Sequence, residues 1–229
     1  MIKKRVFRKY IMLFSIILLV LVIQNMPTSR ESLNYDSPNQ TVMENIDQVN
    51  ETSIMKLREW YQNPDIIGRV YIENTNIQPV LVKGVDNNYY QNHNIWKKPD
   101  LMGAIFLDTR NHLSDQKLII YNYHEEKEDT LKRMMLESFY PEHSRIHLET
   151  LEGTYTYHIF SIIRDKGNYQ KIRSEFTELE WKAYLEEIQE KSLYDTRMEL
   201  KETDDILVLQ SNSYDGYYIK IFGKRIKNS

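Results

Sequence analysis

Short runs rich in β-branched and aromatic residues dominate the chain. Ile66–Ile72, Gln78–Val82, Ala104–Asp108, Lys117–Tyr123, Arg145–Thr150, Tyr155–Arg164, Asp205–Gln210 and Tyr217–Ile226 predict eight strands. Three stretches carry a helical period instead. Ile46, Val49, Leu57, Trp60 and Tyr61 share one face, with Ile54 beside them, so a helix runs from about residue 46 until Asn63-Pro64-Asp65 ends it. Thr130–Phe139 carries Leu131, Met134, Met135 and Phe139 and predicts a second helix. Thr177–Lys191 opens with Thr177-Glu178-Leu179-Glu180, a capping box, and shows an apolar stripe of Trp181, Tyr184, Leu185 and Ile188. That stripe reads as core packing rather than a cofactor box. Eight short strands with two inserted helices predict a mostly β fold, a closed or nearly closed barrel, because closure removes sticky strand edges.

The N-terminus follows another pattern. Residues 1–10 hold Lys3, Lys4, Arg5, Arg8 and Lys9 and no acid, and Ile11–Ile23 is apolar apart from Ser15. As a helix this run reaches roughly 20 Å against a bilayer core of roughly 30 Å, a gap that flanking residues and snorkelling cations narrow. A cleaved signal peptide and a signal anchor both fit. Gln24-Asn25-Met26-Pro27-Thr28-Ser29 offers no Ala-x-Ala-like cleavage site, which favours one transmembrane anchor helix with a cytoplasmic N-terminus and the rest of the chain outside. The expected organisation is a basic tail and anchor over 1–26, a flexible polar spacer over 27–45, and a folded domain over 46–229.

The formal charge of −3 argues against a large nucleic-acid footprint. Without the first ten residues, 25 basic and 33 acidic residues remain, so the outer part has no electrostatic reason to lie on an anionic membrane. Cysteine is absent, which excludes disulfides, thiolate metal sites and thiol catalysis. His143 and His147 are spaced i, i+4, but Arg145-Ile146-His147-Leu148 alternates like a strand, where that spacing does not chelate; surface histidines are the expectation. His93 reads as part of a loop and His112 and His158 lack sequence partners; all read as structural or solvent-exposed. His124 ends an apolar strand, and Gln210-Ser211-Asn212-Ser213 ends another; a serine there would need a base and an oxyanion hole, while a turn is the simpler reading. No phosphate loop, metal motif or paired carboxylates stand out, so no cofactor and no metal are expected. The 17 tyrosines fit either a peptide-binding surface or, more simply, strand formation.

Six motifs in order resemble the class B sortases from about residue 46 to 226. Asn63-Pro64-Asp65-Ile66-Ile67-Gly68 with Val70-Tyr71-Ile72 resembles the family's entry into its first strand. Thr75-Asn76-Ile77-Gln78-Pro79-Val80 resembles T-x-I-x-Y-P-V, Asp86-Asn87-Asn88-Tyr89-Tyr90 with His93-Asn94 resembles D-N-x-x-Y-x-x-H-N, and Gly103–Asn111 resembles G-x-I-F-L-D-x-R-N. Tyr157-His158-Ile159-Phe160-Ser161 and Asp205-Ile206-Leu207 continue the series. The resemblance implies an eight-stranded sortase barrel with an extra N-terminal helix, on a Gram-positive cell surface. It also implies a cysteine transpeptidase that joins proteins to cell wall or to a pilin.

The reactive positions depart from that pattern. The family's Y-G-H aligns with Tyr121-Asn122-Tyr123, its L-S-T-C with Leu209-Gln210-Ser211-Asn212, and its arginine with Tyr218. Histidine, cysteine and arginine are thus replaced by Tyr123, Asn212 and Tyr218. Weak substitutes lie nearby: His124, Ser211, Ser213 and Lys220. A one-residue offset turns a strand side chain to the other face unless a bulge restores it. The expectation is a degenerate sortase, a pseudoenzyme of the cell surface that binds a surface-protein or pilin peptide or an active sortase. The alternative is a serine-based transpeptidase or hydrolase using Ser211 or Ser213 with His124 and Lys220.

Overall fold

The structure is a computed structural model that describes residues 51–75, 79–124, 130–166, 172–211 and 216–226. The chain divides into Met1–Glu44 and Asn45–Ser229; the first unit, with the expected tail, anchor and most of the spacer, lies outside the described residues. Among the described residues no helix is long and apolar enough to cross a membrane.

Helix α1 (Glu51–Tyr61) leads into strands β1 (Ile66–Ile72), β2 (Val80–Val82), β3 (Ile105–Leu107) and β4 (Lys117–Tyr123). Helix α2 (Thr130–Arg133), strands β5 (Arg145–Thr150) and β6 (Gly153–Lys166), helix α3 (Glu178–Glu190), and strands β7 (Ile206–Ser211) and β8 (Tyr217–Arg225) follow. The strands close in the order β1-β2-β3-β4-β7-β8-β6-β5. Two pairs are parallel, β2 with β3 and β4 with β7. All eight predicted strands are present, with β2 and β3 shorter than expected.

One helix departs from expectation. Thr130–Phe139 is not continuous: α2 stops at Arg133, Leu136 turns to extended backbone, and a 3-10 helix covers Glu137–Glu142. An α-helix of ten residues is marginal by itself, and Pro141 has no N–H to continue one. Met134 packs into the barrel's apolar cluster, with Leu131, Met135 and Phe139 partly buried against it. The predicted start of α1 near residue 46 lies outside the described residues.

Period-two alternation builds two cores. Val70, Leu81, Ile105, Leu118, Ile120, Leu148, Ile159, Leu207, Leu209 and Ile221 belong to one cluster supplied by all eight strands, which fills the barrel. Ile119, Tyr121, Ile206, Val208 and Phe222 point the other way and pack with Ile54 and Leu57 of α1 and Trp181, Leu185 and Ile188 of α3. The predicted capping box starts α3: the Glu180 N–H donates to the Thr177 hydroxyl, and the Glu180 carboxylate accepts the Thr177 N–H at 2.8 Å.

Candidate functional site

β4 and β7 run parallel and β8 returns antiparallel to β7, so the ends of β4 and β7 and the start of β8 meet at one end of the barrel. A bulge shapes this corner. Four residues of β4, Ile120 to Tyr123, oppose three of β7, Leu209 to Ser211. Asn122 takes up the extra residue at φ +56°, a left-handed conformation that glycine and then asparagine adopt most readily. Its amide donates to the Tyr90 carbonyl at 3.3 Å. Gly103 lies against it, at φ +67°, where an added Cβ would sit 2.3 Å from Tyr90 O.

The bulge decides where Tyr123 goes. Without it Asn122 would follow Leu118 and Ile120 into the barrel; with it Tyr123 does, fully buried in the interior cluster. The next residue, His124, is half-buried, and its Nδ1–H donates to the Asn122 carbonyl at 2.6 Å. Ser211 follows the face of Leu207 and Leu209, is buried, and its hydroxyl oxygen accepts the Ile219 N–H at 2.8 Å. Lys220 shares the face of Phe222 and donates to Asp165 at 2.5 Å. Ser211 and Lys220 therefore point to opposite faces of the sheet, and no hydrogen bond joins Ser211 to His124. Tyr218 is half-buried on the Lys220 side. Asn212 and Ser213 lie outside the described residues.

The outer face of these strands holds polar groups that the residue pattern did not single out. Gln210 shares the face of Ile206 and Val208, is buried, and among the described residues neither its amide oxygen nor its nitrogen has a hydrogen-bond partner. It belonged to a segment marked as chemically interesting, but for its serines. Lys117 opens β4, buried beneath the β6–β7 connection. Its Nζ donates to Arg173 O and to the Tyr184 hydroxyl, each at 2.7 Å, and lies 3.9 Å from the Tyr184 ring centre. Burial, with the charges of Arg110, Lys220 and Arg173, pushes the Lys117 amine down to about 6. A cation opening an otherwise apolar strand was the sequence signal for it.

A third group ties the same connection down. Asp108 is fully buried; Asn87 Nδ2 donates to it at 3.0 Å, Arg110 Nη2 at 2.6 Å and the Tyr121 hydroxyl at 3.1 Å. Burial alone would raise its carboxyl, but the bonds from Arg110 and Asn87 overcome that and hold it at about 2. Arg110 also donates to Ile172 O, and the Ile172 N–H donates to the Tyr121 hydroxyl. The histidines sit elsewhere. His143 is buried against Phe139, not on the surface as expected, because its ring stacks at 3.6 Å and its Nδ1 bonds Phe139 O. His147 stacks on Tyr71. Among the described residues no three His, Asp or Glu side chains are grouped to hold a metal.

No family model matches the chain. Sortase B of Staphylococcus aureus (strain NCTC 8325 / PS 47) is 27% identical over 161 residues, 68% of this chain and 66% of that protein's own length, just under two thirds. The crystal structure of Clostridium perfringens sortase B superposes with a TM-score of 0.68 at 28% identity, over 76% of this chain and 99% of that one. A Staphylococcus aureus sortase B–substrate complex superposes with a TM-score of 0.69 at 23% identity, over 84% and 91% of the two chains.

Proposed function

The chain is class B sortase-like and has no cysteine, and from that premise we propose a membrane-anchored surface protein that binds a peptide without cutting it. The peptide docks over the ends of β4, β7 and β8. Its source is a surface protein, a pilin or an active sortase that this chain helps to assemble.

The observation that carries the reading is a kept scaffold joined to a chain without the family's nucleophile. Losing the nucleophile from such a catalytic unit costs on the order of a millionfold in turnover. Asn212 has no thiol to attack with or to carry an acyl group. Tyr123 is packed inside the barrel. The Ser211 hydroxyl is buried and already accepts a backbone N–H, away from Lys220. A Staphylococcus aureus sortase B of similar fold is solved as a complex with its substrate, which supports a peptide partner.

The test uses the full chain in mild detergent, mixed with fluorescent sorting-signal peptides and an amine acceptor. Saturable anisotropy changes with no acyl adduct, cleavage or ligation by mass spectrometry are the expected result. An adduct or a ligated product would overturn the non-catalytic reading. Absence of binding across the peptide panel and in pull-downs of neighbouring surface proteins would overturn the docking role.

A further inference from the structure

The connection between β2 and β3 carries large apolar side chains into solvent. Val85 is 96% exposed, Leu101 94%, Met102 51% and Trp96 38%, while Trp60, at the end of α1, is 60% exposed. The loop that carries Trp96 is tied to the end of α1. The Trp96 ring packs edge-on against Tyr61 at 5.0 Å. Asn63 donates to Ile95 O at 2.8 Å, and Lys97 pairs with Asp65 at 2.9 Å.

The connection is rigid. His93 bridges Pro99, the Asn94 N–H donates to Lys98 O, and the Lys97 N–H donates back to Asn94 O. The Met102 N–H donates to the Asp100 carboxylate at 2.9 Å. Trp96, Leu101 and Met102 are thus held out by a loop whose backbone is already ordered, so docking them costs little conformational entropy.

We propose that this loop, with Trp60, is a membrane-contact surface that inserts shallowly into the bilayer holding the chain's own N-terminal apolar run. The inference rests on the anchored reading given above. Its residues suit the bilayer interface: tryptophans beside Lys97 and Lys98, with Leu and Met at the turn. Chain length brings the surface to the membrane. Only 27 residues separate Ile23 from α1, a span of at most about 95 Å fully extended. The bilayer is therefore always within reach at high effective concentration. Charge does not drive the contact: Asp65 neutralises Lys97, and the chain beyond its first ten residues is acidic. Insertion is apolar and indifferent to lipid headgroup charge. Because Asn122 at the end of β4 bonds the same connection at Tyr90 O, the contact sets the peptide-docking end beside the membrane.

The experiment uses the full chain reconstituted in phosphatidylcholine vesicles, with and without bromine on the lipid acyl chains. The chain has three tryptophans, and Trp181 is buried in the outer core as an internal reference. Variants keeping only Trp60, Trp96 or Trp181 are read separately. Bromination is expected to quench Trp96 and Trp60 roughly twofold and to spare Trp181. The L101D/M102D double variant is expected to lose the quenching while Trp181 emission, a reporter of folding, stays constant. Added phosphatidylglycerol is expected to change nothing. Vesicle-bound chain whose Trp96 and Trp60 ignore bromination would overturn the proposal, as would quenching that survives L101D/M102D. Resistance to alkaline carbonate extraction reads the anchor by itself: chain that washes off yet is quenched keeps the contact surface and sinks the anchor.

Discussion

Two corners of the barrel have diverged differently from the pattern that the motifs follow. In one, Asp108, Arg110 and Asn111 of the Gly103–Asn111 motif are all engaged. Asp108 collects bonds from Asn87, Arg110 and Tyr121, and Asn111 bonds both Lys117 O and the Ile119 N–H. Tyr90 reaches Asp65 at 2.7 Å. In the other, at the ends of β4, β7 and β8, the chain offers no cysteine, and the Gln210 amide has no hydrogen-bond partner among the described residues. Motif residues of the first corner therefore hold the connections that frame the second. A buried, satisfied network is expensive to break, so these connections stay fixed whatever stands at the second corner.

The sharpest way to break this comparison is Asp108→Asn. It leaves Arg110 without its carboxylate and is expected to cost about 2–3 kcal/mol in urea unfolding. It also predicts a pH dependence. The Asp108 carboxyl titrates at about 2 in the folded protein, below its ordinary 3.8. Its stabilisation is therefore complete above about pH 4 and is lost as pH falls toward 2. The variant should lack that acid limb.

Lys117→Met comes next. The folded amine titrates near 6 and the unfolded one at its ordinary 10.5. Between those values the unfolded chain binds more protons, so stability rises with pH. The gain from pH 7 to pH 9 should be about 1–2 kcal/mol, after allowing for the rings and oxygens that favour the ammonium. In the methionine variant the slope should vanish; an unchanged slope would show that Lys117 is charged in place.

Gln210→Leu sharpens the contrast between the corners. Replacing an unpaired buried amide with an apolar side chain should stabilise the fold by about 1 kcal/mol and leave peptide affinity unchanged. A loss of stability in urea unfolding would show that the amide is paired in solution. Thr177→Ala removes the cap of α3 and should cost about 0.5–1 kcal/mol without touching peptide affinity.

Much of the fold was legible residue by residue. β1, β4 and β5 match their sequence boundaries, β1 and β4 as mainly apolar runs and β5 as an alternation of polar and apolar residues, and the Thr177–Glu180 signature fixes the start of α3 through contacts three residues apart. The helical period at Thr130–Phe139 marks residues that pack on the barrel cluster, but it does not encode the break at Leu136. The site was legible in part. The segment at Gln210 and the strand end at His124 stood out, but the role of Gln210 depends on the face it occupies and on what covers it. Lys117 looked like an ordinary strand-opening cation; only α3 and the β6–β7 connection, distant in sequence, bury it.

Composition by itself determined that no thiol reaction is available to this polypeptide, and local patterning determined strands, caps and the charged N-terminal run. Tertiary structure alone decided which side of the sheet each residue faces. A single extra residue at Asn122 reverses that parity for Tyr123, and such a bulge is recognised only when β4 is laid against β7. Short-range propensity is written in neighbouring residues, whereas register, burial and the absence of a hydrogen-bond partner are properties of segments that meet only after folding.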